Sequence, residues 1–238
     1  MEEICQLHAQ EETSGTKLMS TDEQTGIQAL ERAGATLPLQ SGKVEKREHN
    51  YIRHGTQVLT ANFCLHSGQI IAPTIADTRK EEDFLVHIQQ TVATAPHKQW
   101  IFIVDQLNTH MSASLVAWVA EMIKDPPKLG KKGSSGILKN KKSRKSYLSK
   151  PQHRIRFVYT PKHCSWLNPI ENWFSSLTKR VIKRGNFTSK QDLKEKRLNY
   201  IQCYNQRLVK KYQWTNKTRN TIDSMLNKIK KTVTKLMT

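Results

Sequence analysis

Three acidic residues of this sequence lie where carboxylates could be brought together to do chemistry. Asp105 directly follows the apolar run Ile101–Val104, which predicts a buried strand. Asp22 follows Lys17–Thr21, a second candidate strand, and Glu171 lies in a predicted helix. Because ligand chemistry in open α/β sheets gathers at the carboxyl ends of strands, these side chains are expected to share one cleft.

Three carboxylates in one cleft would repel each other strongly unless cations lie between them. Ligation by oxygen alone suits Mg²⁺ or Mn²⁺, and substrate phosphates can complete the coordination of the metal. Two such ions activate a water or a hydroxyl and stabilise the leaving oxygen during in-line attack on phosphorus. The three acids therefore favour metal-dependent phosphoryl transfer.

Each acid also has a structural interpretation. A lone aspartate before a loop most often stabilises a turn or caps a helix, and this applies to Asp22 and to Asp105. Glu23 is the neighbouring rival of Asp22 as a metal ligand, and Glu171 could face solvent or form an ion pair. Position alone favours the structural role of Asp22, so its assignment as a ligand depends on further motifs.

The histidines offer other chemistry. His110 and His163 could act as bases or metal ligands, but structural support of neighbouring groups is the favoured role for both. A zinc site formed by His153, His163 and Cys164 is conceivable, although the spacing matches no standard zinc finger or knuckle.

Composition restricts the partners and the compartment. The 238 residues suffice for one large domain, and the formal net charge of +19 predicts a polyanionic partner, with nucleic acid favoured over an anionic membrane. No apolar stretch approaches the ~20 residues that span a bilayer, and the acidic N-terminus does not resemble a signal peptide. Four scattered cysteines fit reduced thiols, so a cytoplasmic location is expected.

Hydrophobic periodicity predicts an α/β fold in which strands and helices position these acids. The predicted elements are strands at 17–21, 56–65, 69–76, 100–104 and 154–159, and helices at 81–94, 112–123, 166–182 and 190–208. Residues 1–16 form a polar segment without a firm element, 22–26 a polar turn, 33–55 an extended loop and 216–238 a basic terminal helix or tail. The domain itself is expected to span residues 17–215.

A basic insertion is predicted at residues 124–153, before the last core strand. Residues 124–150 hold ten Lys or Arg and a single acid, Asp125, with Gly and Ser interspersed. The favoured interpretation is a loop that contacts DNA, and the alternative is a solvated linker. Among the aromatic residues, Trp166, Trp173 and Phe174 are predicted to be core rather than stacking platforms. For Asn168, bracing the turn before Glu171 and touching DNA stay equally open.

Five segments together resemble a known family. They read LMSTDEQTGIQALER at 18–32, YIRHG at 51–55, IFIVDQLNTH at 101–110, YTPKHCSWLNPIE at 159–171 and RGNFTS at 184–189. These segments are similar to the catalytic domain of mariner-type bacterial insertion-sequence transposases, over roughly residues 17–215. That family belongs to the DDE superfamily, so the resemblance implies an RNase H-like mixed sheet flanked by helices.

The resemblance also implies a function. It implies DNA strand cleavage and strand transfer by Asp22, Asp105 and Glu171 with two Mg²⁺ or Mn²⁺ ions. Double-stranded DNA is the expected partner, bound by a homodimer, with a separate helix-turn-helix polypeptide supplying recognition of the element ends. The residues expected to contact DNA are Arg53, Lys141, Lys142, Arg144, Lys162, His163, Lys179 and Arg180. The alternative is a catalytically impaired or truncated transposase that binds DNA non-specifically.

The sequence departs from the pattern of the family in one spacing and at one position. Sixty-five residues separate Asp105 from Glu171, where the family has a spacing in the mid-thirties. Leaving out the insertion at 124–153 restores a spacing of 35 residues and keeps both acids in the pattern. Gln106 stands where the family usually has Asn, which affects local hydrogen bonding but leaves the Asp105 carboxylate in place.

Overall fold

The computed structural model describes residues 2–10, 13, 15–34, 37–45, 49–123 and 127–210. In chain order, the elements are α1 (Glu2–Ala9), β1 (Thr16–Arg32), β2 (Tyr51–Cys64), β3 (Ile70–Ala76), α2 (Glu81–Ala93), β4 (Gln99–Val104), α3 (Ala113–Glu121), α4 (Lys141–Leu148), β5 (Ile155–Tyr159), α5 (Ile170–Leu177) and α6 (Lys190–Cys203). Short 3-10 turns lie at Thr109–Met111 and Ser165–Leu167, and π-helical turns at Thr178–Ile182 and Tyr204–Leu208. Across these ranges no helix is both long enough and apolar enough to span a bilayer.

The five strands form one mixed sheet in the order β3-β2-β1-β4-β5. β2 is antiparallel to both β1 and β3, whereas β4 runs parallel to β1 and to β5. The parallel strands β4 and β5 consist mostly of buried apolar residues, as expected for strands that are covered on both faces. The predicted α/β class and mixed sheet are confirmed.

Helices cover both faces of the sheet, and the alternation of side chains along β1 determines which residues meet which helices. Odd-numbered Met19 packs into the cluster that contains Phe84 of α2 and residues of α3. Even-numbered Leu18 lies on the other face, in the cluster that contains Ile4 of α1. On this second face, Trp173 of α5 packs with β2 residues. Even-numbered positions of β1 therefore face the helix that carries Glu171.

The predicted turn at 22–26 is wrong, because β1 continues as a strand to Arg32. The strand passes Gly26, which has a φ of +70° beside a register shift between Gln24 and Ile27. A glycine adopts this conformation without steric cost, so the strand bulges and continues. Its far end pairs with the start of β2 at Tyr51, so the predicted loop at 33–55 extends five residues too far.

Two segments that were predicted to lack firm structure contain helices. Within 1–16, α1 buries Ile4 and Leu7, whose spacing of three residues places them on one helical face. Within the insertion at 124–153, α4 buries Tyr147 and Leu148 in the cluster shared with β4 and β5. Neither a loop nor a solvated linker describes this segment, since its C-terminal half forms part of the core.

The predicted helix at 166–182 is divided at Pro169. Proline has no backbone N–H and clashes with a preceding helical turn, so α5 starts only at Ile170. The hairpin at 56–76, the helices at 81–94, 112–123 and 190–208 and the strands at 100–104 and 154–159 are confirmed within a few residues. The predicted tail at 216–238 and the domain end at residue 215 lie outside the described residues.

Candidate active site

Asp22 and Asp105 lie side by side on neighbouring strands. The parallel register pairs Ser20 of β1 with Ile103 of β4. Asp22 and Asp105 each lie two residues beyond this pair, so they are neighbours across the two strands. Adjacent strands are about 4.8 Å apart, and both positions have the parity that faces α5. Asp105 directly follows the end of β4, whereas Asp22 lies within β1.

The Asp22 carboxylate is oriented by two donors. The backbone N–H of Glu23 donates to Oδ1 at 2.8 Å, and the Asn168 side-chain amide donates to Oδ2 at 2.9 Å. Burial raises the pKa of Asp22 to about 7, with smaller contributions from the charges of Asp105 and Glu171. The Asn168 bond joins the Asp22 carboxylate to the turn that precedes α5, the helix of Glu171.

Asn168 connects β1 to the start of α5. The Ser20 hydroxyl donates to the Asn168 side-chain oxygen, and the backbone N–H of Ile170 donates to the same hydroxyl at 2.9 Å. The backbone carbonyl of Asn168 accepts a hydrogen bond from the backbone N–H of Glu171 at 3.1 Å. Asn168 is almost fully buried, so of the two roles left open by the sequence the structure favours the brace.

His110 joins Asp105 to Glu23. Its Nδ1 lies 2.8 Å from Asp105 Oδ1, and its Nε2 lies 3.3 Å from Glu23 Oε1. The His110 ring is fully buried, packs 4.3 Å from the Phe84 ring between centroids, and leaves the Glu23 side chain 2% exposed. The buried imidazole thus supports the strand end that carries Asp105 from the α2 face, as predicted for a structural histidine.

Charge pairing in this network outweighs burial. Burial acts to lower the pKa of His110, but its hydrogen bonds to Asp105 and Glu23 raise the pKa to about 9. Burial acts to raise the pKa of Asp105, yet the contacts with His110 and the backbone N–H of Leu107 hold that pKa below its ordinary value. The Glu23 carboxylate is engaged by His110 and almost fully buried, and Glu23 also borders the pocket that Glu171 lines.

Glu171 lies in the first turn of α5 and is exposed. It lines a pocket of about 350 Å³ together with Glu23, Lys179 and Lys183. The third acid therefore faces an open, partly basic cavity rather than the core, and a phosphate could reach it.

A family model described as DDE superfamily endonuclease matches residues 17–194. The chain belongs to this superfamily. No curated protein sequence is a match for it.

Two solved structures are similar to this DDE superfamily chain. A crystal structure of the Mos1 mariner paired end complex with Mn has a TM-score of 0.52 and 9% sequence identity, covering 85% of this chain and 52% of that one. A crystal structure of the mariner Mos1 paired end complex with Mg has a TM-score of 0.31 and 11% identity, covering 89% of this chain and 60% of that one. The chain thus spans about half the length of the first. The family match confirms the DDE superfamily of the predicted resemblance, and the fold shared with the first mariner structure confirms the RNase H-like sheet.

The donor set of the DDE domain fits a divalent metal by its chemistry. Among the residues with described positions, no group of three His, Cys, Asp or Glu side chains is preformed as a metal cage. Asp22, Asp105 and Glu171 nevertheless offer only carboxylate oxygens, the donors that Mg²⁺ and Mn²⁺ prefer. The raised pKa of Asp22 reflects burial and repulsion, which bound cations would offset.

The alternative zinc site is wrong. His153 precedes β5, whereas His163 and Cys164 follow it, so they lie at opposite ends of that strand. His153 packs edge-on against the Tyr147 ring, with 4.6 Å between centroids.

The basic residues predicted to contact DNA divide into two groups. Lys141 donates to the Gln106 carbonyl at 3.1 Å, beside Asp105, and Lys142 follows it on α4. Lys162 and His163 are exposed after β5, at the same sheet edge, and Lys179 lines the pocket of Glu171.

The second group lies apart from this edge. Arg144 donates to the carbonyls of Met111 and Leu138 at 2.7 and 3.2 Å, so its guanidinium anchors α4. Arg53 pairs with Leu30, eight residues along β1 from Asp22 and therefore about 26 Å away. Arg180 lies on a separate flank of α5.

Sequence reasoning missed the hydrogen-bonded partners of the acids. Neither Ser20 nor Glu23 has a motif signal of its own, because each gains its role from a residue more than 80 positions away. The predicted strand ended at residue 21. A longer predicted strand would have placed Asp22 and Glu23 on opposite faces of the sheet, because side chains alternate along a strand. The buried partner of His110 would then have been expected on the odd face.

Proposed function

We propose that this chain is the catalytic domain of a DNA transposase that performs metal-dependent strand cleavage and strand transfer. The observation that supports the proposal is the position of Asp22 and Asp105 on neighbouring strands, with Glu171 in the helix whose preceding turn is joined to Asp22 by Asn168. All three acids lie inside the range matched by the family of DDE superfamily endonucleases. Carboxylates that crowd one cleft are costly to ionise together, so their convergence suits bound cations.

In this proposal, Asp22, Asp105 and Glu171 would hold two Mg²⁺ or Mn²⁺ ions. The bound metal would supply an activated nucleophile, first water and then a DNA 3′-hydroxyl, and would stabilise the leaving oxygen. Asn168 fixes the Asp22 carboxylate relative to α5. His110 holds the Oδ1 atom of Asp105 in a hydrogen bond and so orients the carboxylate.

Double-stranded DNA is the proposed substrate, and the basic residues around the cleft support it. Lys141, Lys162 and Lys179 come from three different elements that border the acids. Lysine contacts with phosphates are independent of sequence and release counterions, so they position the backbone without choosing a site.

The choice of site is proposed to come from a partner. The similar Mos1 mariner structures are paired end complexes. By analogy we propose that this domain acts as a homodimer on DNA ends, and that a separate helix-turn-helix polypeptide supplies end recognition.

A plasmid nicking assay tests the proposal. Purified protein is incubated with supercoiled plasmid in Mg²⁺, in Mn²⁺ and in EDTA, beside Asp105→Asn and the surface control Asp77→Asn. Asp77 is exposed and pairs with Lys190, so the control repeats the same substitution away from the cleft. Nicking is expected in either metal, with loss in EDTA and in Asp105→Asn but not in Asp77→Asn.

Binding separates the two candidate functions. Anisotropy of a labelled duplex is expected to show salt-sensitive binding that Asp105→Asn retains. Nicking that survives in Asp105→Asn would overturn the proposed catalytic role. Salt-sensitive binding without nicking in any metal would favour the alternative, a catalytically impaired protein that binds DNA non-specifically.

A further inference from the structure

A second pocket, of about 650 Å³, lies on a flank of α5 separate from that of Glu171. We call it the aromatic–basic pocket. Its wall includes the rings of Trp173, Tyr200 and Tyr204. It also includes the cationic side chains of Arg180, Arg207 and Lys210. Neither the carboxylate cleft nor its hydrogen-bonded network uses these residues.

The three rings form one aromatic cluster. The Trp173 centroid lies 6.4 Å from that of Tyr200 and 5.9 Å from that of Tyr204, and the two tyrosine rings are 6.4 Å apart. A hydrogen bond holds Tyr204 in place, since its hydroxyl donates to the Gly68 carbonyl at 3.0 Å. Tyr200 and Tyr204 are only partly buried, so each presents ring surface to the pocket.

One polar group of the wall has no partner. The Trp173 side chain is 4% exposed, and within the described part of the chain its indole nitrogen has no hydrogen-bond acceptor. This nitrogen is itself shielded from solvent, so the indole contributes ring surface to the wall of the pocket.

Three cations surround the aromatic surface. Arg180, Arg207 and Lys210 are exposed, and in the described ranges none of them forms an ion pair. Aromatic faces interleaved with unpaired cations match a nucleotide, because a base stacks on rings while its phosphates meet the basic side chains. A purely apolar ligand would use only the rings and would leave the three charges without a role.

We propose that the aromatic–basic pocket binds an unpaired nucleotide of a DNA strand, with its base against Tyr200 and Tyr204 and its phosphates against Arg180 and Arg207. The choice of DNA rests on the proposed function.

The position of the pocket relates it to the site of cleavage. Asn172 lines the pocket and directly follows Glu171 in α5. A strand whose phosphate lies at Glu171 can therefore place an unstacked neighbouring nucleotide in the pocket.

Paired oligonucleotides of equal charge test the proposal. The affinity for a labelled single-stranded dT 12-mer is compared with that for a 12-mer of abasic sites, which keeps the phosphates and removes the bases. The wild type is expected to prefer the dT strand by roughly 5- to 150-fold, the range that one stacked base provides. Tyr200→Leu is expected to lose most of this preference, whereas Tyr200→Phe keeps the ring and the preference.

Tyr51→Leu is the matched control, because Tyr51 is an exposed tyrosine beside Arg53 on the distant end of β2. It is expected to keep the full preference for bases. Thermal unfolding of each variant identifies loss of the fold. Equal preference in the wild type and Tyr200→Leu, or no preference for bases in the wild type, would overturn the proposal.

The outcome is separable from that of the proposed function. The preference for bases is measured by binding in EDTA, with Asp105→Asn as well as with the wild type. Absence of nicking with an intact preference would refute catalysis and retain the pocket. Metal-dependent nicking with no preference for bases would refute the pocket and retain catalysis.

Discussion

Two buried polar regions of this protein are built in opposite ways. At the carboxylate cleft, Asp22, Asp105 and His110 each have hydrogen-bond partners. Beneath α6, Arg197 is fully buried between two apolar clusters, and no nitrogen of its guanidinium has a partner among the described residues. Burial lowers the pKa of Arg197 to about 10. Both regions lie on the same sheet, and only one has its polar groups satisfied.

The hydrogen-bonded groups of the cleft fix its geometry, whereas the fold only tolerates the unpaired guanidinium of Arg197. A buried polar group without a partner costs about 1–3 kcal/mol, which a domain can absorb at a few positions. A paired network contributes little net stability, but it allows one arrangement of its members. We therefore expect changes at the cleft to damage stability or activity, and removal of the Arg197 charge to do the reverse.

The largest effect is expected from His110→Phe. Phenylalanine keeps a ring beside Phe84, but it leaves the Glu23 carboxylate buried without its cationic partner. Removing one member of a buried charge pair costs about 3–5 kcal/mol, so the free energy of unfolding in urea should fall by that amount.

The double variant His110→Phe/Glu23→Leu provides the control. It removes both charges, so it should recover most of the stability that the single change loses. A loss below about 1 kcal/mol in His110→Phe, or no recovery in the double variant, would contradict a buried charged pair at this position.

Asn168→Ala is expected to reduce nicking by about 10- to 100-fold, the usual cost of losing a group that orients a metal ligand. The Asp22 carboxylate loses its side-chain donor and the Ser20 hydroxyl loses its acceptor, whereas the bond from the Ile170 N–H to Ser20 remains. The concentration of Mg²⁺ that gives half-maximal nicking should rise as well, which a loss of folded protein would not cause.

Asn199→Ala is the matched control, since Asn199 is exposed on α6 and does not line the aromatic–basic pocket. It should keep the wild-type dependence on Mg²⁺. A decrease for Asn168→Ala that only follows the folded fraction, with an unchanged dependence on Mg²⁺, would count against a role in orienting Asp22.

Several elements could be predicted from sequence because their pattern is local. The apolar run before Asp105 and the helical spacing of Phe84, Leu85 and Ile88 each specify one kind of element. The far half of β1 has no such pattern, because pairing with β2 rather than burial holds it in the sheet. Its glycine and polar residues are typical of a turn, and tertiary pairing overrode that local preference.

The site follows the same division. The three acids could be predicted because motifs surround each of them. Their partners could not, because Ser20 meets Asn168 across 148 positions and Glu23 meets His110 across 87. Residues this far apart in the sequence meet only because of the topology of the fold. That topology is given by the strand order β3-β2-β1-β4-β5. Arg197 is the converse case, since nothing in the helical pattern of α6 distinguishes a buried arginine from an exposed one.

The smallest expected effect, of opposite sign, is that of Arg197→Met. Methionine keeps a long unbranched side chain between Leu193 and Ile201, which lie one turn away on the same face of α6. Removing a buried charge that has no partner should raise the free energy of unfolding by about 1 kcal/mol, the lower end of the cost of such a group.

Lys194→Met is the charge-matched control, because Lys194 is only partly buried on the same helix and its loss should change stability by less than about 0.5 kcal/mol. A lower free energy of unfolding for Arg197→Met would mean that the guanidinium is stabilised by something beyond the described contacts. The amide oxygens of Gln24 and Gln57, buried without donors on the strands that α6 contacts, would then be the first groups to examine, through double variants with Arg197→Met. In that outcome the region beneath α6 would be a second satisfied network, and the contrast with the cleft would disappear.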